Sequence, residues 1–245
     1  MGEHTIRELM KRRSGSTQRA LQRRRELAQG IKRSPLPKLI GVLILLGLVG
    51  GIAYVAYLIQ QANERFVIIN DAQHNPKALV LADVTAFLPN TLLAVQDPNY
   101  YSKSGPSGAL LTRHLVRLYF PDSSYFANRV MSATIEAKYS KTSILQAFID
   151  YIPLGDNRGK PVQGFGAASL FYFGKPFAQL EPQDIALLVA LASDPAGLNP
   201  RTYPDKALAA RNAVLQADQQ QNILKDTQVT QYSQAPLGVI PQPPV

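Results

Sequence analysis

The run from Leu93 to Tyr101 holds the most informative side chains for acid–base chemistry in this sequence. It reads Leu-Ala-Val-Gln-Asp-Pro-Asn-Tyr-Tyr and places an amide, Gln96, directly before a carboxylate, Asp97. A carboxylate can accept a proton from a hydroxyl group at neutral pH, whereas an amide cannot, and a positioned general base contributes about 10²–10⁴-fold in rate. The first question that the sequence raises is therefore whether the chain is an enzyme.

Composition and motifs exclude several other kinds of chemistry. The chain has no cysteine, so disulfides, thiolate metal sites and thiol nucleophiles are ruled out. It contains neither S-x-x-K nor K-T-G, which excludes acyl transfer by that serine machinery at the level of motifs. Lys141-Thr142-Ser143 is only superficially similar to the second of these. No glycine-rich phosphate loop is present.

The net charge of +9 is concentrated at one end of the chain. Residues 1–38 hold eleven Lys and Arg against three Glu, a net of +8, which leaves fifteen basic and fourteen acidic residues for 39–245. A basic tail followed directly by an apolar run is typical of a membrane protein, because basic residues that flank a span are retained in the cytoplasm. We therefore expect a membrane and no nucleic acid as a partner.

Residues 39–59 are predicted to cross the membrane once. This stretch has no charged residue, and twenty-one residues at about 1.5 Å each match the hydrocarbon core of about 30 Å. A cleaved signal peptide is the alternative, but the apolar run is too long for one. We expect residues 1–38 to be a cytoplasmic tail and the rest to lie on the far side, which in a bacterium is the periplasm. Gly47 and Gly51 indicate either close helix packing or simple tolerance of glycine.

Helical patterns dominate the remainder. After a stalk, residues 60–88, we predict a mainly α domain at 89–235 and an extended tail at 236–245. Ser140 is placed to cap a helix that ends at Pro153, and Pro182 begins a helix that is apolar on every side and therefore central. A third helix is predicted from about Asp205 to Leu224.

Several blocks in a fixed order carry a resemblance to a known family. They are Lys138-Tyr139-Ser140-Lys141 with Ile144-Leu145, Gly164-Phe165, Ala168 through Pro176, Ala186 through Val189, Asn199-Pro200, Ala209 through Asn212, and Pro236 through Val239. In these blocks the sequence resembles the family 51 peptidoglycan glycosyltransferases, the lipid II polymerases that form the transglycosylase domain of class A penicillin-binding proteins, most closely the 1b type. The resemblance covers about Pro89 to Pro236 and implies a lysozyme-like helical domain.

The family needs two acids in one groove, and both positions depart from its pattern here. Its first motif, Glu-Asp-Arg-x-Phe-Tyr, stands as Gln96 through Tyr101 in this chain, without the acid and the arginine. Its second acid belongs to an Arg-Lys-x-x-Glu element, and the matching region, Tyr125 through Arg129, is shortened and has no acid. About twenty residues that include the mobile loop are missing between Gly105 and Gly108.

The second motif of the family survives in altered form as Gly108 through Arg117. Its glutamines are replaced by Arg113 and His114, and Arg117 keeps the positive charge of a family lysine that could meet a pyrophosphate. The substrate-binding residues that the resemblance implies are Thr112, Arg113, His114, Arg117, Lys138 and Lys141. We interpret the lone His114 as a surface or hydrogen-bonding residue rather than a base.

Three other acids, Asp97, Asp122 and Glu136, lie in matched regions and are considered as replacements for the missing base. Asp97 matches an aspartate beside the family base, and we interpret it as holding the local turn. Glu136 matches an acid that the family carries in addition to its catalytic pair, and we interpret it as structural. Asp97 and Glu136 stay as candidates for a general base in place of the missing one.

Three functions follow from these observations. We favour a membrane-anchored pseudoenzyme that keeps the fold and binds lipid II, glycan strands or a cell-wall synthase. A divergent active glycosyltransferase that uses Asp97 or Glu136 is the first alternative, and a scaffold with a collapsed groove is the second. We expect no cofactor and no metal site, with a divalent metal as the alternative if the domain is active.

Overall fold

The computed structural model describes residues 36–69, 79, 84–102 and 109–242. The chain divides into two compact units, Met1–Ala53 and Tyr54–Val245. Of the predicted basic tail, 1–38, residues 1–35 lie outside the described residues, and 36–38 belong to the first helix. The predicted deletion between Gly105 and Gly108 also lies outside the described residues. In chain order the elements are α1 (Leu36–Ile69), α2 (Phe87–Gln96), α3 (Leu110–Tyr119), α4 (Tyr125–Lys138), α5 (Lys141–Tyr151), β1 (Pro153–Asn157), β2 (Lys160–Gln163), α6 (Phe165–Phe173), α7 (Pro182–Leu191), α8 (Pro204–Gln220) and α9 (Asp226–Gln234).

The predicted span at 39–59 lies within a longer helix, α1. Leu36–Phe66 is long and apolar enough to cross a membrane, by length and composition. Helix α1 continues past Ile59 through polar residues because one face of that part is buried. Leu58, Ala62 and Phe66 form this face within the second unit.

The helices predicted from capping signals are present, and the fold is mainly α-helical as expected. The Ser140 side chain accepts a hydrogen bond from the Ser143 amide at 3.0 Å and so caps α5. Helix α7 begins at Pro182, and the Asp184 carboxylate accepts a hydrogen bond from the Glu181 amide at 3.2 Å. Ile185 through Leu191 are all buried, which confirms α7 as the central helix.

A β-hairpin that is not predicted from the sequence follows α5. Strands β1 and β2 are antiparallel, with Asn157 opposite Lys160. The two-residue turn between them has positive φ at Arg158 (57°) and Gly159 (83°), which gives the right-handed twist that hairpins need. The Asp156 side chain accepts from the Gly159 amide at 2.8 Å. The strands are short, and their polar residues hide the alternation by which strands are recognised.

Helix α8 ends at Gln220, four residues before the predicted end at Leu224. The chain leaves the helix through Asn222, whose φ is 58°. The amides of Ile223 and Leu224 then donate to the carbonyl of Asp218, at 2.8 and 3.3 Å. A left-handed residue followed by backward hydrogen bonds is a common way to end a helix, and Asn adopts this conformation more readily than most residues.

The segment after α9, residues 235–242, is held against the domain, and we call it the C-terminal strap. Arg211, which is buried, donates to the carbonyls of Ala235 (2.7 Å) and Pro236 (3.2 Å). Arg201 donates to the Ile240 carbonyl at 3.0 Å, and the Ile240 amide donates to the backbone carbonyl of Tyr172 at 2.8 Å. Arg201, just before α8, and Arg211 on α8 thus fix the strap.

Candidate functional site

The first turn of α3 is capped by two carboxylates from distant parts of the chain. Ala109 at the N-cap position offers no side-chain acceptor. Asp97 accepts a hydrogen bond from the Leu110 amide at 2.7 Å, and Glu136 accepts one from the Ala109 amide at 3.2 Å. The first amides of a helix lack partners within the helix and form its positive end, so acids stabilise it there. Both candidate acids are therefore bound to the backbone of α3.

Glu136 is also paired with a lysine and a threonine. Its carboxylate accepts hydrogen bonds from the Thr112 hydroxyl and from the Lys141 ammonium group. The Glu136 side chain is only 7% exposed and that of Lys141 22% exposed. The charge of Glu136 is thus neutralised within the fold, and its oxygens are occupied by three donors. We define Asp97, Thr112, Glu136, Lys141 and Tyr100 as the capping cluster.

Tyr100 completes the capping cluster from the other side. Its hydroxyl donates to the Lys141 carbonyl at 2.9 Å, and the Lys141 ammonium lies 4.6 Å from the centre of its ring. Burial and then the charge of Glu136 raise the pKa of Tyr100 above its ordinary value. The phenol stays neutral at physiological pH and acts as a hydrogen-bond donor.

Gln96 lies outside the capping cluster. It is the last residue of α2, it is partly exposed, and its amide nitrogen donates to the Ser193 hydroxyl at 3.1 Å. Asp97, the next residue, is fully buried. The two neighbouring side chains therefore have different contacts: Asp97 caps α3, whereas Gln96 contacts the loop after α7. Among the hydrogen bonds of the described part of the chain, the side chain of Gln96 is paired with a hydroxyl group and not with a carboxylate.

The predicted binding residues separate into two groups. Thr112 and Lys141 belong to the capping cluster. Arg117 and Lys138 are exposed, and the Lys138 ammonium lies 5.4 Å from the Tyr139 ring. These two are the members of the set that remain open to an anionic ligand.

Arg113 and His114 are partly buried. The His114 ring packs edge-on against Phe148 on α5, with the ring centres 5.5 Å apart. Burial and then the charge of Arg117 lower the pKa of His114, so the imidazole is neutral at pH 7. The buried Nε of Arg113 has no hydrogen-bond partner within the described residues.

A buried acid that the sequence analysis missed connects α2 to α8. Asp218 is fully buried and accepts a hydrogen bond from the Thr91 hydroxyl at 2.9 Å, while its other oxygen has no partner within the described residues. Burial raises the pKa of Asp218 from 3.8 to about 6. The signal was available, because Asp218 continues the helical spacing of Arg211, Val214 and Leu215 on the buried face.

This raised pKa predicts a pH-dependent stability. An acid whose pKa is higher in the folded state favours folding below its unfolded pKa and loses that contribution as the pH rises through the folded value. From about pH 4.5 to about pH 7.5, we expect the free energy of unfolding of the wild type to fall by about 2 kcal/mol relative to Asp218→Asn. Urea denaturation in detergent would measure it, with the exposed Asp205→Asn as control. An equal pH slope in Asp218→Asn and wild type would contradict the prediction.

Within the residues that the structure describes, no three His, Asp or Glu side chains lie together as a group that could hold a metal ion. Acids that are close in space, such as Asp97 and Glu136, are occupied by backbone amides instead. The exposed basic side chains of Arg117 and Lys138 and the amide of Gln96 are groups that can bind a ligand.

The chain is similar in sequence to transglycosylases and penicillin-binding proteins. A family model described as "Transglycosylase" matches residues 108–219. Penicillin-binding protein 1B of Escherichia coli is 34% identical over 180 residues, which are 63% of this chain and 21% of that protein. Its counterpart in Haemophilus influenzae is 29% identical over 187 residues, 66% and 24% of the two chains. The chain thus spans less than a quarter of the length of these relatives. The crystal structure of penicillin-binding protein 1A from Haemophilus influenzae aligns with a TM-score of 0.46 at 19% identity, over 67% of this chain and 18% of that one.

Proposed function

This chain carries a transglycosylase domain of the kind found in class A penicillin-binding proteins, a family of peptidoglycan synthesis, and from this premise we propose that it is a membrane-anchored pseudoenzyme. In this proposal the domain keeps the family fold and has lost polymerase turnover. It binds lipid II, glycan strands or a cell-wall synthase. The observation that carries the proposal is the use of Asp97 and Glu136 as caps of α3.

The acids that could replace the missing base are already engaged. A general base must reach the proton that it removes, with its lone pairs free for that proton. Asp97 is buried and accepts from the backbone of α3, whereas Glu136 is neutralised by Lys141. Gln96 holds the position of the family base and cannot act as one. If either acid left its backbone amide to act as a base, α3 would lose a cap. Catalysis by Asp97 or Glu136 would therefore be coupled to a loss of stability.

Binding requires less of the site than catalysis does. Arg117 and Lys138 remain exposed with positive charge, which suits a pyrophosphate or another anionic group. The amide of Gln96 can donate to and accept from sugar hydroxyls without taking their protons. These features support a domain that recognises a precursor or a glycan and does not polymerise it.

The proposed location is the bacterial inner membrane. In this proposal α1 crosses the bilayer once, the basic tail is cytoplasmic and the domain is periplasmic. The excess of Lys and Arg before the apolar helix supports this orientation. The length and composition of α1 support a single span.

A lipid II polymerisation assay with the purified chain in detergent tests the loss of turnover. We expect no glycan chains under conditions in which a class A penicillin-binding protein makes them. A Gln96→Glu variant tests whether the lost base alone prevents polymerisation. We expect no polymer from this variant either, because the second acid element of the family is also absent. Titration with a lipid II analogue should still show binding.

Robust glycan chains from the wild type would reject the pseudoenzyme. Abolition of those chains by Asp97→Asn or Glu136→Gln, in a variant that remains folded, would then favour the divergent enzyme. Neither polymer nor binding would indicate the scaffold with a collapsed groove. The three functions therefore give three different pairs of results.

A further inference from the structure

A cavity of about 310 Å³ lies between the β-hairpin and α6, and we call it the hairpin cavity. It is lined by Asn157, by residues 160–163 and by Ala167, Leu170 and Phe171. Its volume is at the lower end of the range of cavities that bind small molecules, about 300–1,000 Å³. The lining shares no residue with the capping cluster and does not include Gln96. The hairpin cavity is therefore distinct from the site described above.

One wall of the hairpin cavity is mainly aliphatic. Ala167, Leu170 and Phe171 stand three or four positions apart on α6, so they share one face of that helix. Leu170 is 42% exposed, whereas most of α6 is buried. Pro161 and Val162 complete this wall from β2. Such a wall can receive a small aliphatic side chain, because transfer of its apolar surface out of water is favourable.

The aromatic residue of this wall is poorly placed to stack on a sugar. The Arg201 guanidinium lies 4.1 Å from the centre of the Phe171 ring and covers one of its faces. The same ring packs edge-on against Tyr172, with the ring centres 4.8 Å apart. A sugar ring needs an open aromatic face on which to stack. The wall therefore favours an aliphatic ligand over a sugar ring.

The exposed part of the lining is polar and positively charged. It consists of the side chains of Asn157, Lys160 and Gln163. The Asn157 amide group is held in place by the C-terminal strap, since Gln242 donates to its oxygen at 3.2 Å. Within the described residues, the lining contains no acid. A lysine ammonium binds carboxylates, and side-chain amides can both donate to and accept from peptide groups.

We propose that the hairpin cavity binds the end of a cell-wall peptide, with its terminal carboxylate on Lys160, its last peptide group on Asn157 and Gln163, and a small aliphatic side chain against Leu170. A free carboxylate that follows a small aliphatic residue satisfies each part of the lining. This inference deepens the proposed function, and the choice of a cell-wall peptide over other peptides rests on it. The domain would then hold the peptide of a precursor or strand at a second place, apart from Gln96.

Acetyl-D-alanyl-D-alanine is the simplest probe with these features, and D-alanine is found in cell-wall peptides but not in proteins made on ribosomes. We would measure its binding to the full chain in deuterated detergent by saturation-transfer difference NMR of its methyl protons. A ligand of this size should bind with a Kd of about 1 mM, from the affinity per atom of small ligands. The same peptide with a C-terminal amide should bind about tenfold more weakly, because it lacks the charge that Lys160 recognises.

Two variants test the two parts of the lining. Lys160→Met should weaken binding of the carboxylate peptide about tenfold and should abolish its preference over the amide. Leu170→Asp should abolish binding, because it places a negative charge on the aliphatic wall. Both side chains are exposed, so both variants should keep the melting temperature of the wild type. Lys206→Met, an exposed change on α8, is the control and should bind as the wild type does.

Equal binding of the carboxylate and amide peptides, or unchanged binding by folded Lys160→Met, overturns the proposal. Tighter binding of acetyl-L-alanyl-L-alanine than of the D,D form overturns the assignment to a cell-wall peptide, because it indicates a protein chain end. Binding of a lipid II analogue without binding of the dipeptide overturns the hairpin cavity and leaves the proposed function standing. Binding of neither ligand overturns both.

Discussion

Glu136→Gln is expected to destabilise the domain by about 3–4 kcal/mol, because it leaves the Lys141 ammonium without its counter-ion in a largely buried site. The amide can still accept from Thr112 and from the Ala109 backbone, so the change isolates the charge. A loss of this size lowers the melting temperature by about 6–15 °C in a domain of this length. Thermal unfolding in detergent, followed by circular dichroism, would measure it.

The matched control is Lys138→Met, which removes an exposed lysine on the same helix and should change stability by less than about 0.5 kcal/mol. Combining Glu136→Gln with Lys141→Met should recover part of the loss, because neither charge is then left alone. An unchanged melting temperature in Glu136→Gln would contradict the structural role. Glu136 would then return as a candidate base.

Arg211→Met is expected to cost about 3 kcal/mol, because the carbonyls of Ser233, Ala235 and Pro236 would lose their donor. Arg211 is 1% exposed, and methionine fills a similar volume without donating a hydrogen bond. The variant should release the C-terminal strap before the rest of the domain unfolds. Hydrogen exchange of the amides at 237–240 would show this release.

Arg211→Lys distinguishes the shape of the guanidinium from its charge. A lysine keeps the charge but cannot reach three carbonyls in the geometry of the arginine fork, so we expect it to recover only part of the stability. Full recovery by lysine would show that charge alone matters. Lys206→Met, an exposed change on the same helix, serves as the control for the substitution itself.

The helices that the sequence predicted correctly have their signals close together in the chain. Ser140 caps α5 through an amide three residues away, and Pro182 begins α7. The uniformly apolar run Ile185 through Leu191 required a central position, which the structure confirms. Local caps and apolar runs decide these elements, so they can be read without knowledge of distant contacts.

The capping cluster could not be predicted because its contacts join distant residues. Asp97 lies thirteen positions before the amide that it binds, and Glu136 lies twenty-seven positions after its own. Sequence alone indicated that both acids were structural, but it did not identify α3 as the helix that they support. The hairpin was missed for another reason: its strands are short and polar, and the first position of its turn is Arg158 rather than the Asn or Gly that usually precedes a residue like Gly159. Asp218 was overlooked because the polar half of α8 hid its buried face.

The C-terminal strap has a practical consequence for labelling. The Gln242 side chain donates to the Asn157 side chain of the hairpin at 3.2 Å, and the Ile240 amide donates a hydrogen bond to the Tyr172 carbonyl. A fluorescent protein attached beyond this point would leave the domain beside β1 in a defined direction. Energy transfer from such a label to a dye in the membrane would then report the tilt of the domain, with little averaging from a flexible linker. Arg211→Met, which releases the strap, should broaden the distribution of label-to-membrane distances and so serves as the reference for a mobile label.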